Sequence, residues 1–575
     1  MSQAQNSSIL PVWRVRLLLG LIVLVVVLLG WRALNLQVLD NGFLQHKGDS
    51  QHKRLVPLMA HRGMLLDRNG DALAVSTPVA SVWADPKDVP LDDPRIEQLA
   101  RLLDKPADKL RELLRKRARR DFVYLKRHMN PDIKRRLAEL GLPGVGVRRE
   151  YRRYYPTAEV AAHVLGFTNI DDQGQEGLEL AFDDELRGQP GKQRVVKDLK
   201  GRIVKTGKIE QVPRPGHDLY LSIDRRLQFI AYRELKKAVR RHRAKWASLV
   251  LLDAKTGEIL AMVNQPSFNP NDRRQIRPGQ LRNRAVTDLM EPGSTVKPFA
   301  VAAALKSGLF SRDTLIDTNP GRFRIGRKVI SDFRNYGVID VARVIQKSSN
   351  IGISKMALGM PKELLWETYT DVGFGFAPAT RFPGEAEGRL PFFGQWNDMD
   401  RAAIAFGYGL SVSPLQLAQA YTVFANDGEL RRLSFLRRDE PMEARQVLPP
   451  AVAQQVRQML ESVVESDEGT GRRARIPGYR VAGKTGTVRK TGRGGYLEDS
   501  YRAMFVGMAP ASDPRLVAVV VIDDPGGEDY YGGRVAAPVF AKVMAAALRL
   551  LNVPPDKIRE DSWQPPLRMA GVTQP

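Results

Sequence analysis

Cysteine is absent from the 575 residues, and none of the seven histidines (His46, His52, His61, His128, His163, His217, His242) lies beyond His242. The first absence excludes disulfides, thiolate nucleophiles, haem thiolate and iron–sulfur ligation. The second argues against a Ser-His-Asp triad in the downstream half, so a nucleophile there needs a different base. Aspartate and glutamate pairs show no metal-ligand spacing, and neither a metal nor any other cofactor is expected. Internal repeats and long low-complexity tracts are missing as well. Long apolar runs are scarce, the uninterrupted one being Leu17 to Trp31 between Arg14, Arg16 and Arg32.

That run is short for a membrane span, but flanking arginines can snorkel to the interfaces. A signal-peptide core is the competing reading. Against it, small residues in an A-x-A arrangement are missing after Gly30, where Trp31-Arg32-Ala33-Leu34-Asn35 follows. An uncleaved signal anchor over 17–35 is therefore expected. The preceding segment 1–16 has basic and no acidic residues, which keeps it cytoplasmic and exports the bulk of the chain.

The formal charge is +25. Such an excess raises nucleic-acid binding, but the basic residues are dispersed, and no nucleic-acid partner is expected. The densest run, Lys109 to Arg120, interleaves Leu110, Leu113, Leu114 and Ala118 at helical spacing. It reads as a solvated helix face, with attraction to anionic lipid or glycan surfaces as the alternative.

At this length two or three domains are expected. Residues 36 to 55 read as a juxtamembrane connector. Ala60 to Ala74 reads as a hairpin around Asn69-Gly70, and Arg95 to Leu140 as helical. The segment 36–215 is thus expected to be an elongated α+β N-terminal module, closing at Pro213-Arg-Pro-Gly216. From 216 to 552 a second domain is expected. Ser248 to Val263 supplies two apolar strands, and Tyr479–Thr487, Ala503–Met508 and Leu516–Ile522 supply three more. Pro414 to Tyr421 belongs to a helical middle, and Ala536 to Leu551 is an apolar helix. A sheet drawn from both ends of the domain around a helical insert is an α/β plan. The proline-rich tail 553–575 is expected to be flexible.

Chemistry concentrates in three short segments. In Glu291-Pro-Gly-Ser294-Thr-Val-Lys297-Pro, positions i and i+3 share a helix face, so the Ser294 hydroxyl and the Lys297 amine can meet. Pro298 falls within the first helical turn, where its missing N–H forfeits nothing, and Ser294 lies at the positive end of the helix dipole. Alone, Ser-x-x-Lys is a weak signal found on many solvated helices. Lys347-Ser348-Ser349-Asn350 adds a Ser-x-Asn pair, readable by itself as a cap or turn. Val481-Ala-Gly-Lys484-Thr485-Gly486-Thr487 adds Lys-Thr-Gly, readable by itself as a glycine-bearing strand end. In series they form the signature of penicillin-binding proteins and class A β-lactamases.

On those motifs the chain resembles the class B penicillin-binding proteins, and most closely the division-specific transpeptidases of Gram-negative bacteria. The resemblance spans about residues 10 to 552. It includes Arg62-Gly63-x-x-x-Asp67-Arg68-Asn69-Gly70, Gly174-Gln-Glu-Gly-Leu-Glu179, Asn283-Arg284-Ala285, Phe382-Pro-Gly-Glu385 and Phe406 to Gln416. It implies a penicillin-binding/β-lactamase-like fold, a central antiparallel sheet flanked by helices. It also implies a single-pass protein of the bacterial inner membrane with its catalytic domain in the periplasm.

The implied reaction is cross-linking of peptidoglycan stem peptides through a serine acyl-enzyme, which β-lactam antibiotics block covalently. Lys297, neutral through burial beside Lys484, takes the Ser294 proton. The resemblance further implies an oxyanion hole from the backbone N–H groups of Ser294 and Thr487. It has Ser348 relaying a proton to the departing D-alanine and Asn350 holding the substrate amide. Lys484, Thr485 and Thr487, with Gly486 between them, attract the terminal carboxylate. Arg489, Tyr501, Tyr530 and Tyr531 are read as lining the cleft, ordinary surface being the alternative. Segment 36–215 is expected to be a non-catalytic pedestal that docks a SEDS-type glycan polymerase and other divisome proteins.

A class A β-lactamase needs a Glu-x-x-x-Asn element between Asn350 and Lys484. The asparagines there, Asn397 and Asn426, follow Phe393 and Thr422 at that spacing. A D,D-carboxypeptidase remains an alternative, as does a membrane-anchored β-lactam sensor or inactive division scaffold.

Overall fold

The computed structural model describes residues 12–34, 53–197, 203–274, 276–492 and 495–557. The first part of the cytoplasmic segment, most of the expected connector and the tail beyond Lys557 lie outside these residues. Val12–Leu34 is one helix with 23 residues, enough to cross a hydrocarbon core. Its length and apolar composition fit a single-pass membrane anchor.

The described chain forms two compact units. The first comprises residues up to 61, 79–150 and 188–215; the second comprises 62–78, 151–187 and 216 onward. Segments 62–78 and 151–187 thus fold with the motif-bearing part of the chain, although they precede residue 216 in sequence.

In the first unit an antiparallel three-stranded sheet pairs Gly191–Lys197 with both Lys53–Leu58 and Ile203–Gln211. Helices Arg95–Leu102, Ala107–Lys116 and Ile133–Leu140 are amphipathic. They bury Ile96, Leu99, Leu110, Leu114 and Leu137 in a small core with Val82 and Leu125. The helical expectation for 95–140 holds except at Val123–Met129, which is a strand. There the β-branched and aromatic Val123-Tyr124 alternate exposure along a sheet instead of facing a helix interior.

The second unit is built on a five-stranded antiparallel sheet. Its order is Ile259–Gln265, Trp246–Asp253, Leu516–Asp523, Gly495–Ala509, Ala482–Gly492. Early and late strands are adjacent, so the two ends of the domain close one sheet. Every residue of Trp246–Asp253 and of Leu516–Asp523 is buried, because helices cover both faces. Val250, Leu252, Val519 and Val521 pack on one side with helices Lys297–Lys306, Pro414–Ala425 and Pro450–Glu465. Leu249, Leu251, Val520 and Ile522 pack on the other with Arg225–Arg241 and Ala537–Leu550. The period of two assigns alternate side chains to opposite cores, which explains apolar runs where a one-sided sheet would alternate.

The Asn69-Gly70 hairpin is present: Leu65 pairs with Ala74, and Gly70 takes φ +92°. Close to it lies a buried ionic cluster. Arg62 donates to Glu179 (2.8 Å) and to Asp183 (2.6 Å), and Arg153 donates to the other Glu179 oxygen (2.6 Å). The residues quoted for the Arg62 and Gly174–Glu179 segments therefore meet.

Candidate active site

Ser294 does not start the helix. It lies in a 3₁₀ turn, Gly293–Val296, and the α-helix begins at Lys297 with Pro298 in its first turn. Residues i and i+3 eclipse one another in a 3₁₀ turn, so Ser294 and Lys297 keep one face. Gly293 takes φ +51°, and a Cβ there would stand 2.3 Å from Val488. A Cβ on Gly486 would stand 2.8 Å from the Thr295 methyl. Strand Ala482–Gly492 therefore presses directly on the nucleophile turn through Gly486 and Val488, with Thr487 between them.

Lys297 is fully buried at the head of its helix and donates to Ser348 O (2.6 Å), Asn350 Oδ1 (2.7 Å) and Ser348 Oγ (3.3 Å). Lys484, equally buried, donates to Ser348 Oγ (2.9 Å). The Ser348 hydroxyl is thus shared by two lysines. Burial lowers the Lys297 pKa from its ordinary 10.5 to about 7, and the charge of Asp332 opposes this only in part. Lys484 is pushed well below its usual value, first by burial and then by repulsion from Lys297. Two ammonium groups sharing one hydroxyl cannot both stay charged cheaply. A neutral amine at the Ser348 hydroxyl is thereby favoured.

Local structure explains how Ser348 and Asn350 reach this place. Helix Val341–Lys347 ends at Ser348 in the left-handed conformation (φ +58°), and Ser349 caps the next helix, Asn350–Gly359, accepting from Gly352 N (2.9 Å). Asp332 anchors the join, accepting from Ser349 Oγ (2.5 Å), Asn350 N (2.5 Å) and Ile351 N (3.1 Å). No sequence pattern singled out Asp332. A carboxylate at a helix N-terminus is recognisable only when the helix start is adjacent in the chain, and here it stands about five turns of sequence away in a different segment. Thr470 was missed for the same reason; its hydroxyl meets the Thr485 hydroxyl at 2.9 Å.

Thr487 Oγ1 accepts from Gly532 N (3.0 Å). That close approach requires glycine, because a Cβ on Gly532 would fall 2.2 Å from Met504 O. Arg489 is paired with Tyr501 across the neighbouring strands. Tyr501 stacks on Tyr530 at 4.2 Å between ring centroids, and Tyr530 stacks on Tyr531 at 4.4 Å. The four residues named on position alone are therefore one neighbourhood on the same sheet edge as Thr487.

A separate cleft of about 480 Å³ lies between Ala162–Leu180 and Phe382–Gly384 and contains none of the three motifs. Burial there lowers the His163 pKa to about 4, and its Nε2 lies 2.8 Å from Gln280 O. His163 is a satisfied interior residue.

A family model for the penicillin-binding protein transpeptidase domain matches residues 247–545, and one for the penicillin-binding protein dimerisation domain matches 57–221. With both matches and the relatives below, the chain belongs to the class B penicillin-binding proteins, of the transpeptidase type. It is 44% identical over 548 residues to a probable peptidoglycan D,D-transpeptidase PbpC of Pseudomonas aeruginosa, covering 95% of this chain and 97% of that protein. It is 43% identical over 552 residues to the peptidoglycan D,D-transpeptidase FtsI of Escherichia coli, covering 95% and 93% respectively. Among solved structures, the transpeptidase domain of Burkholderia pseudomallei penicillin-binding protein 3 superposes with a TM-score of 0.55 at 44% identity, covering 59% of this chain and 98% of that one. Penicillin-binding protein 3 of Mycobacterium tuberculosis, solved with aztreonam, gives a TM-score of 0.68 at 28% identity, covering 87% and 98%.

Proposed function

We propose that this chain cross-links peptidoglycan stem peptides by acyl transfer through Ser294. The enzyme is a serine-type D,D-transpeptidase of cell-wall synthesis, and the residue roles are assigned as follows. Neutral Lys297 takes the Ser294 proton as Oγ attacks the carbonyl of the penultimate D-alanine. Backbone N–H groups of Ser294 and Thr487 receive the oxyanion. Lys297 passes the proton through the Ser348 hydroxyl to the departing D-alanine, and Asn350 holds the substrate amide. Lys484 with Thr485 and Thr487 attracts the terminal carboxylate, and Arg489, Tyr501, Tyr530 and Tyr531 flank the donor chain. β-Lactams acylate the same serine.

The observation that carries the reading is the hydroxyl of Ser348 held between Lys484 and Lys297, with Lys297 also bonded to Asn350. Three motifs far apart in sequence are thereby one hydrogen-bonded group with a lysine near neutrality. Hydrolysis of the acyl-enzyme, the carboxypeptidase alternative, uses the same group and differs only in the acceptor.

We assign the residues up to 16 to the cytoplasm, 17–35 to the anchor, 36–215 to a pedestal, except for segments 62–78 and 151–187, which pack with the catalytic domain, and 216–552 to that domain, exported to the periplasm. The pedestal docks a SEDS-type glycan polymerase and other divisome proteins, and the reaction serves the septum. Arg14 and Arg16, which precede the apolar run Leu17 to Trp31, support this orientation.

Labelling of detergent-solubilised protein with a fluorescent penicillin tests the assignment. Ser294→Ala is expected to abolish labelling while the protein stays folded. A mapped adduct on any other serine would refute the assignment.

A further inference from the structure

Glu291 stands three residues before Ser294, and its backbone is tied to the nucleophile turn. Gly293 N donates to Gly407 O (3.0 Å), and a Cβ on Gly407 would fall 2.0 Å from Gly293 O, so loop 407–409 lies flush against that turn. From this loop Gly409 N donates to Glu291 Oε1 (2.9 Å). The Tyr496 hydroxyl, from the strand that pairs with the motif strand, donates to the same oxygen (3.1 Å). Glu291 Oε2 is shielded from solvent and has no hydrogen-bond partner among the described residues. Around the carboxylate the rings of Tyr408 and Tyr496 meet edge to face at 5.4 Å.

A shielded carboxylate oxygen without a donor is costly. An ammonium brings three N–H donors and a charge that aromatic faces attract. The second substrate of acyl transfer to an amine is a primary amine, which arrives in water as an ammonium. On the other side of Ser294 such a cation meets Lys297 and Lys484. Asp332 offsets these two only in part, its oxygens being engaged by Ser349, Asn350 and Ile351. Tyr496 is 48% exposed, so its side chain can leave Oε1 without opening the core, and its hydroxyl occupies one of the places an ammonium takes.

We propose that Glu291, walled by Tyr408 and Tyr496, is the recognition site for the ammonium of the acceptor in the second half-reaction. The inference rests on the acyl-transfer reading above. The ammonium gives one proton to Glu291, and the neutral amine attacks the ester carbonyl of the acyl-enzyme. The C–N bond forms, and Lys297 takes the second proton from nitrogen. As the C–O bond to Ser294 breaks, Lys297 returns that proton to Oγ. The proton on Glu291 leaves to solvent, and serine and lysine are restored.

The test is the partition of the acyl-enzyme in detergent-solubilised full-length protein. A D-alanyl thioester serves as donor, with D-methionine, hydroxylamine or water as acceptor. Glu291→Gln is expected to lower the D-methionine-to-water ratio about tenfold or more, the range for losing a hydrogen bond to a charged group. The ratio for hydroxylamine, neutral at pH 7.5, is expected to stay near the wild-type value. Tyr496→Leu, at an exposed position, is expected to lower only the D-methionine ratio, by a smaller factor. An unchanged D-methionine ratio in Glu291→Gln overturns the proposal. So does an equal fall for hydroxylamine, or a fall in acylation alone, since either makes Glu291 a support of the nucleophile turn. Absence of a Ser294 adduct in wild type would instead overturn the acyl-transfer reading, and this inference with it.

Discussion

Arg62 and Arg153 are buried, as Lys297 and Lys484 are, but the two pairs differ in the carboxylates within reach. Arg62 and Arg153 share Glu179, and Arg62 also meets Asp183. Burial opposes the Arg62 charge, yet these carboxylates outweigh it and raise its pKa above the usual value. Among the described residues Lys297 hydrogen-bonds only to the neutral oxygens of Ser348 and Asn350, and burial wins. The same fold thus holds one cation pair permanently charged and lets the other approach neutrality. Arginine suits the first task because it does not deprotonate and forks onto carboxylates; lysine suits the second because its pKa moves with burial. The first cluster fastens chain segments together, and the second is the one to which the proposed chemistry is assigned.

The contrast predicts different failures. Glu179→Gln removes the partner of two buried guanidinium groups, and breaking a buried ion pair costs about 3–5 kcal/mol. Chemical denaturation of the full-length protein is expected to show a loss of that order, with penicillin still acylating whatever fraction is folded. A midpoint within error of wild type would mean the cluster is not structural. Lys297→Ala is expected to leave the fold intact and to slow acylation by about a hundredfold or more, the usual worth of a general base. Acylation at the wild-type rate would remove the lysine from the mechanism.

The smallest effect concerns pH. Below about pH 7 Lys297 is protonated in the folded protein, so acylation is expected to rise with pH through about 7 and then level off. Between about 7 and 10.5 the unfolded chain carries a proton on this lysine that the folded chain lacks, so this group makes stability rise with pH across that window. Asp332 holds the Lys297 pKa up. Asp332→Asn is therefore expected to move the rising limb of the acylation profile to lower pH. A limb that moved upward or stayed fixed would show that Asp332 acts only as a helix cap.

Much was legible before any coordinates because it depends on neighbours in sequence. The apolar run from Leu17 to Trp31 lies within the helix Val12–Leu34. The strands read at 248–263 and 479–522 recur with shifted ends as Trp246–Asp253, Ile259–Gln265, Ala482–Gly492, Gly495–Ala509 and Leu516–Asp523. The motif residues Lys297, Ser348, Asn350 and Lys484, read from three separate segments, are joined by hydrogen bonds from the two lysines to Ser348 and from Lys297 to Asn350.

Spacing along the chain determined which side chains share a face and where most helices and strands fall, and the lack of histidine beyond His242 pointed to a lysine as the base. Tertiary structure alone decided the rest. It decided that Lys297 has no carboxylate in contact whereas Arg62 has two, that Asp332 caps a helix eighteen residues away from it, and that Glu291 faces Tyr496 across 205 residues of chain. Charge, dielectric and hydrogen-bond satisfaction are set by whatever packs nearby in space, and the period of a helix or strand carries no record of it.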